Sequence, residues 1–210
     1  MRQGLFRRLG PSAEVHVDER NEMNLVRTPP GIVRWTKRLE DATVLDMPVR
    51  AVEPTVQSVF GTGNRAAVLR GEWLGHAVHP VLTDVVIGTW TSASLLDLLG
   101  GRDASGSAQR LVGLGLLAAA PTFWTGWAEW TTVGQREKRV GVVHAVTNGT
   151  ALSAYAASWL ARRRGDHGRG VRLALVGAAV SGFGAYLGGH LTSTRKVGSH
   201  HPAFDGPLGI

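Results

Sequence analysis

The chain has 210 residues, no cysteine and a formal net charge of +7. Without cysteine it cannot form a disulfide framework, a thiolate metal site or an iron–sulfur cluster ligated by its own side chains. The positive charge does not indicate nucleic-acid binding, because the basic residues cluster at the ends of apolar runs, as at Arg162, Arg163 and Arg164. Basic loops in such positions are typical of segments beside anionic lipid headgroups.

Residues 1–70 are polar, and we interpret them as an N-terminal arm. Residues 1–30 carry charges of both signs and end in Pro-Pro-Gly, a composition that predicts a disordered or loosely ordered segment. Short helices are predicted over residues 32–46 and 55–70, with Pro48 and Pro54 interrupting the chain between them. Either helix can lie on a membrane surface, or the segment can be a solvated linker.

Four apolar stretches follow, at about residues 78–99, 108–130, 140–161 and 173–192. Each is near the ~20 residues that a helix needs to cross a bilayer. Buried helices of a soluble protein are the alternative, which the short Arg-rich loops between the stretches disfavour. We therefore predict an all-α fold: an integral membrane four-helix bundle over residues 71–195, followed by a C-terminal tail over residues 196–210.

Four spans place both termini on the same side of the membrane. The basic residues near the predicted helix ends divide evenly between the two sides, so they do not decide the orientation. The long basic arm and the lack of an apolar secretory signal near the start favour the cell membrane, with both termini in the cytoplasm. At the opposite end of the bundle, we expect Asp97 to pair with Arg102 or Arg110.

All four predicted helices contribute polar side chains to one end of the bundle. In an up-down-up-down order, the start of the first helix, the end of the second, the start of the third and the end of the fourth share one side. Ionisable groups in a membrane are costly and usually face the bundle interior. The candidate metal ligands are His76, His79, His144, His190, Asp84 and Glu129. Asn148 lies four residues after His144, on the same helix face.

Three chemistries fit this set of side chains. The first is haem b, held by two histidines from different helices, such as His144 and His190. The second is a divalent transition metal held by three imidazoles and a carboxylate, which suits zinc, iron or copper. The third is a proton or ion path along the carboxylates and imidazoles. Alternatively, the same groups only cap helix ends, bond one another and hold the bundle together.

Several short motifs resemble an uncharacterised bacterial membrane family, domain of unknown function 2231. They are LGHAVHPVLTDVVIG at 74–88, LLDLLG at 95–100, TGWAEW at 125–130, His144-Ala145 with Asn148, and YLGGHL at 186–191. The resemblance covers roughly residues 70–205. Val86 stands where the family usually has proline, and Glu129 where it often has aspartate. Some relatives carry a Rieske iron–sulfur domain after the fourth helix, so the resemblance implies a link to electron transfer.

We predict a small membrane redox subunit that binds haem b or a divalent transition metal through His79, His144 and His190. Asp84, Glu129 and Asn148 would orient the ligands or carry protons. The predicted partners are the lipid bilayer and a Rieske-type or other redox protein, not nucleic acid, and a homo-oligomer stays open. A structural or assembly subunit and a small ion or proton transporter are the alternatives. No catalytic motif is present, so enzyme activity is not predicted.

Overall fold

The computed structural model describes residues 29–201 and Phe204. The predictions for residues 1–28 and for the rest of the C-terminal tail lie outside the described residues. The chain divides into two units, Met1–Arg38 and Leu39–Ile210. Within the described residues every regular element is a helix, and the one β-type contact is an isolated bridge between His76 and His200. The all-α prediction is therefore confirmed.

Three helices precede the apolar part of the chain. They are α1 (Gly31–Asp41), α2 (Asp46–Phe60) and α3 (Gly63–Arg70). Contrary to prediction, α2 runs through both prolines. Pro48 lies in the first turn, where a missing N–H costs nothing, and Pro54 is accommodated within the helix. Val49 and Val56 lie two turns apart on one face of α2 and pack against Trp130 and Val142, so α2 belongs to the compact second unit.

Four long helices follow, and they form two antiparallel pairs. They are α4 (His79–Leu99), α5 (Ser105–Trp130), α6 (Gln135–Arg163) and α7 (His167–Gly189), the last extended by a π-helical turn, His190–Thr194. Helix α4 packs mainly on α5, and α6 mainly on α7. Further contacts join α5 to α6 and α4 to α7, so the two pairs lie against each other.

Within the described residues, three segments are long and apolar enough to cross a membrane: His79–Leu99, Ser105–Trp130 and His167–Thr194. Helix α6, the third predicted span, is not among them, because polar residues such as His144, Asn148 and Ser158 interrupt its apolar sequence. Large apolar side chains are exposed along these segments, including Leu99 (82%) and Leu117 (75%). Such a surface suits contact with lipid.

The packing between the long helices depends on close approach at glycine. Trp90 stacks on Tyr155 with ring centroids 3.9 Å apart, and its Nε1–H donates to the backbone carbonyl of Val112 (3.4 Å). A Cβ atom at Gly115 would lie only 2.2 Å from Nε1 of Trp90. Gly177 makes similar room for Tyr155, with a Cβ atom there 2.9 Å from the ring. These glycines let aromatic side chains fill the space between helices.

A buried ion pair joins the helices at the end opposite the histidines. Arg162 donates to both carboxylate oxygens of Asp97, at 2.8 and 2.5 Å, and both side chains are almost fully buried. Its Nε–H donates to Ser158 Oγ (3.2 Å), whose own hydroxyl donates to the carbonyl of Gly170 (2.6 Å). The predicted pairing of Asp97 with Arg102 or Arg110 is therefore corrected: α6 extends beyond the apolar stretch, and its last turn brings Arg162 inward.

Candidate functional site

Two of the predicted histidines are held in the same way by neighbouring helices. His79, at the start of α4, has Nδ1 2.9 Å from the carbonyl oxygen of Thr122 on α5. His144, on α6, has Nδ1 2.9 Å from the carbonyl oxygen of Gly184 on α7. Because a carbonyl oxygen only accepts, each Nδ1 carries the proton and each Nε2 keeps its lone pair.

The two imidazoles are close neighbours, with ring centroids 6.5 Å apart and ring planes at 79°. Glycines on the facing helices make room for them. A Cβ atom at Gly126 would lie 2.8 Å from Cε1 of His79, and one at Gly188 would lie 3.0 Å from Cε1 of His144. The Asn148 amide donates to the carbonyl of His144 (3.0 Å), and its Nδ2 also lies 3.2 Å from Nε2 of that ring.

Both imidazoles line a cavity of about 290 Å³ enclosed mainly by α4, α5, α6 and α7. Asp84, Glu129 and Asn148 also line it. Asp84 lies five residues after His79 on α4 and is exposed. The structure therefore brings five of the predicted site residues to the wall of one cavity.

Glu129 connects this cavity to the segment after α7. Its Oε2 accepts hydrogen bonds from the backbone N–H (2.9 Å) and the hydroxyl (2.8 Å) of Ser199. Its Oε1 is buried and has no hydrogen-bond partner among the described residues. The backbone N–H of His201 donates to the carbonyl of Gly75 (2.9 Å), so the described part of the tail lies against the start of α4.

His190 is engaged elsewhere, although it lies at the same end of the molecule. Its Nε2 is 2.6 Å from Oε1 of Glu40, which is 2% exposed and also forms an ion pair with Arg195. The hydrogen bonds from Arg195, with that from His190, hold the pKa of Glu40 below its ordinary value despite burial. His190 is not among the residues lining the cavity.

The six predicted metal ligands are not gathered at one point. His76 is exposed at the surface, with Nδ1 3.0 Å from the carbonyl oxygen of Ala77. Among the described residues, no group of three or more His, Asp or Glu side chains is arranged to hold a metal ion. The rings of His79 and His144 are therefore neighbours. In contrast, His190 is hydrogen-bonded to Glu40, and Glu129 accepts hydrogen bonds from Ser199.

Sequence reasoning missed the partners that hold these side chains. Glu40 lies 150 positions before His190, in a segment that we had assigned to the polar arm. The sequence around Glu40 does not indicate that this side chain is buried, because a single glutamate beside an amphipathic pattern is usually exposed. The backbone carbonyls of Thr122 and Gly184 are also invisible in a sequence. Gly126 on α5 and Gly188 on α7 are a usable signal, since glycine in an apolar helix indicates where another helix can approach closely.

The described residues form only helices, and three of these helices are long and apolar enough to cross a membrane, which fits the class of integral membrane proteins. The comparison with known families agrees. The chain belongs to the family described as Predicted membrane protein (DUF2231), whose model matches residues 75–201. That range includes all six predicted ligands but not Glu40. No curated protein and no solved structure matches the chain.

Proposed function

We propose that this membrane protein is a small electron-transfer subunit in which His79 and His144 bind one metal centre. The observation that carries the proposal is the matched anchoring of the two imidazoles. Each comes from a different helix pair, and each donates Nδ1–H to a backbone carbonyl across that pair. Metal-binding histidines usually donate their second ring N–H in this way, which fixes the tautomer and the ring orientation.

The separation of the two rings permits a shared ion. An imidazole nitrogen binds a metal at about 2.0–2.1 Å, and the centroid of the ring lies about 1.2 Å from that nitrogen, on the side away from the metal. The centroids of two imidazoles on one ion are therefore at most about 6.5 Å apart. The observed separation of 6.5 Å is at this limit. The amide of Asn148, close to Nε2 of His144, would turn away when that nitrogen binds a metal.

The size of the cavity favours a metal ion over haem b. Drug-sized ligands occupy cavities of about 300–1,000 Å³, and haem b is larger than most of them. The 290 Å³ cavity accepts a metal ion as it stands, whereas haem b requires the helices to move apart. Of the predicted ions, iron or copper would supply one-electron redox chemistry at this site, whereas zinc would not. The chain supplies two fixed imidazoles and a largely apolar wall.

The proposal includes α6 as a fourth membrane-crossing helix. It carries His144, and it exposes Val146 (64%) and Leu160 (47%), as the three more apolar helices expose their own large side chains. Its polar residues are largely turned toward other groups, such as His144 to α7 and Ser158 to Gly170. Four crossings put both termini on one side of the cell membrane, and the proposal places that side in the cytoplasm because the N-terminal arm is long and basic.

The test is elemental analysis with an optical spectrum, oxidised and reduced, of the detergent-purified protein. We expect one iron or copper ion per chain, lost in His79→Ala and in His144→Ala. His167→Ala is the matched control, because His167 is exposed at the start of α7. A folded protein that contains neither metal nor haem after expression with both supplied would refute the proposal and leave a structural role.

A proton path is the second candidate, and one observation favours it. Glu129 has an unpartnered carboxylate oxygen on the same cavity that His79 and His144 line. Ionisable groups inside membranes often carry protons. Liposomes that contain the protein should then take up protons along a pH gradient, and Glu129→Gln should abolish the uptake. Equal uptake by protein-free liposomes would exclude this candidate.

A further inference from the structure

The described residues that line the cavity include three carboxylates and two imidazoles, but neither lysine nor arginine. The carboxylates are those of Asp84, Glu129 and Glu137. Oε1 of Glu137 lies 3.9 Å from Nε of Arg195, so the negative charge of Glu137 is paired with a positive charge. Neither Asp84 nor Glu129 forms an ion pair with any described residue. A cavity of this kind attracts positive charge.

Glu129 adds a specific unmet hydrogen bond. The residue is 4% exposed, and both donors from Ser199 go to Oε2. Oε1 is left buried without a donor among the described residues. Buried polar atoms are nearly always paired, and a carboxylate with one empty oxygen is therefore suited to a ligand that brings an N–H group.

The rest of the lining is apolar and aromatic. Four aromatic side chains contribute to it: Trp90, Phe123, Trp127 and Trp130. Indole rings attract cations through their π faces, and this chain already uses one in that way, since Nζ of Lys138 lies 5.3 Å from the ring centroid of Trp130. An aromatic wall beside carboxylates matches a molecule with a flat apolar body and one positive end.

We propose that the cavity binds a small organic cation, a protonated amine with an aromatic or alkyl body, whose N–H group donates to Oε1 of Glu129. At about 290 Å³ the cavity suits a molecule of about one ring, since it lies at the lower end of the ~300–1,000 Å³ range of ligand pockets. Asp84, exposed on α4, supplies a second negative charge at the cavity wall.

This site goes beyond the proposed redox function and does not depend on it. Glu129 lies one helical turn after Gly126, the residue that faces His79, so the carboxylate and the histidine pair occupy adjoining parts of the cavity. Amine binding and metal content are separate measurements on one sample. Metal without amine binding refutes only the amine site, and amine binding without metal refutes only the redox proposal.

The experiment is isothermal titration calorimetry of the full-length protein in a nonionic detergent at neutral pH. Three probes of similar shape are compared: benzylammonium, neutral benzyl alcohol, and benzyltrimethylammonium, which has charge but no N–H group. We expect benzylammonium to bind at least about tenfold more tightly than either control. Benzyl alcohol lacks the charge for a desolvated cation–π contact, and benzyltrimethylammonium lacks the N–H group for a charged hydrogen bond. Each of these interactions is worth at least about that factor.

Variants show which side chains cause the preference for benzylammonium. Glu129→Gln should remove most of the preference for benzylammonium, whereas Glu72→Gln should keep it, because Glu72 is exposed, pairs with Arg70 and does not line the cavity. Asp84→Asn is a second variant at an exposed position, where folding is not at risk, and it should also reduce the preference. The proposal is overturned if either control probe binds the wild-type protein as tightly as benzylammonium, or if neither cavity variant lowers the preference.

Discussion

Arg139 and Asp46 form a bidentate ion pair between α6 and the first residue of α2. Nε and Nη2 of Arg139 donate to the two carboxylate oxygens at 2.7 and 3.0 Å, and Gln135 donates to one of them. These donors, Arg139 first and Gln135 second, lower the pKa of Asp46 from 3.8 to about 2. The folded state therefore holds the ionised carboxylate more strongly than the unfolded chain does.

The ion pair of Arg139 and Asp46 predicts that the folded protein loses stability at low pH. The carboxylate has a lower pKa when folded, so its contribution to stability is complete above about pH 4 and is lost as the pH falls toward 2. Melting temperatures of the detergent-solubilised protein over this range should fall less steeply for Asp46→Asn than for wild type. Asp41→Asn is the control, because Asp41 pairs with Arg136 on an open surface, where ion pairs contribute little. Parallel curves for wild type and Asp46→Asn would contradict the prediction.

His190 illustrates what sequence reasoning can and cannot find for a single side chain. Its place at the end of the fourth apolar stretch was predicted correctly, because helix length and order fix which end a residue occupies. Which way the imidazole turns depends on Glu40, a buried carboxylate from a distant segment. No periodicity in the sequence reports such a long-range pair, whereas the pairing of His79 with His144 needs only helix order and facing glycines.

The ion pair of Asp97 and Arg162 joins the ends of α4 and α6. Both side chains are buried, with exposures of 3% and 0%. Asp97→Ala should reduce the free energy of unfolding by about 3–5 kcal/mol, because it leaves the buried arginine charge without a partner. Chemical denaturation in detergent measures this loss. The double variant Asp97→Leu/Arg162→Met should recover most of it, and a double variant as unstable as the single one would show that the charge is not the cause.

Glycine contacts between the helices give a matched pair of substitutions. Gly115→Ala should destabilise the protein by about 1–3 kcal/mol, because the new methyl group would overlap Trp90, which is held by its stack on Tyr155. Gly149→Ala places the same methyl group where no atom lies within 4 Å, and should be neutral or stabilising by up to about 1 kcal/mol. Thermal melts of both variants test this, and equal melting temperatures would contradict the close contact between Gly115 and Trp90.

The helices themselves were largely predictable. Apolar stretches at 78–99 and 108–130 correspond to α4 (His79–Leu99) and α5 (Ser105–Trp130) within a few residues. Helix α6 extends further at both ends than hydrophobicity indicated, and α7 begins earlier, because the added turns contain charged residues that remain helical, such as Arg162 and Arg169. Pro54 was expected to break a helix and does not, since packing of α2 on α5 and α6 outweighs the local preference.

The four long helices combine an apolar exterior with a polar interior at one end. Exposed side chains such as Leu117 and Val146 cover the long helices, while His79, His144 and Glu129 line the cavity between them. This arrangement fits a membrane, where polar groups are directed inward. It also explains why α6 is less apolar than its neighbours, because α6 contributes both exposed apolar residues and cavity residues.

Four helices, α6 included, are proposed to cross the membrane around the cavity. Labelling of single cysteines tests this topology most directly. The chain has no cysteine, so each variant carries one thiol. Asp103→Cys, Thr132→Cys and Arg164→Cys mark the connections after α4, α5 and α6, and Met47→Cys marks α2, all at exposed positions.

Intact cells are treated with a membrane-impermeant thiol reagent, with permeabilised cells as the measure of full labelling. Four crossings with cytoplasmic termini predict that Asp103→Cys and Arg164→Cys are labelled from outside, while Met47→Cys and Thr132→Cys are labelled only after permeabilisation. If the thiol at position 164 follows the one at 132 instead, α6 does not cross the membrane, and the cavity cannot lie within a four-helix membrane domain.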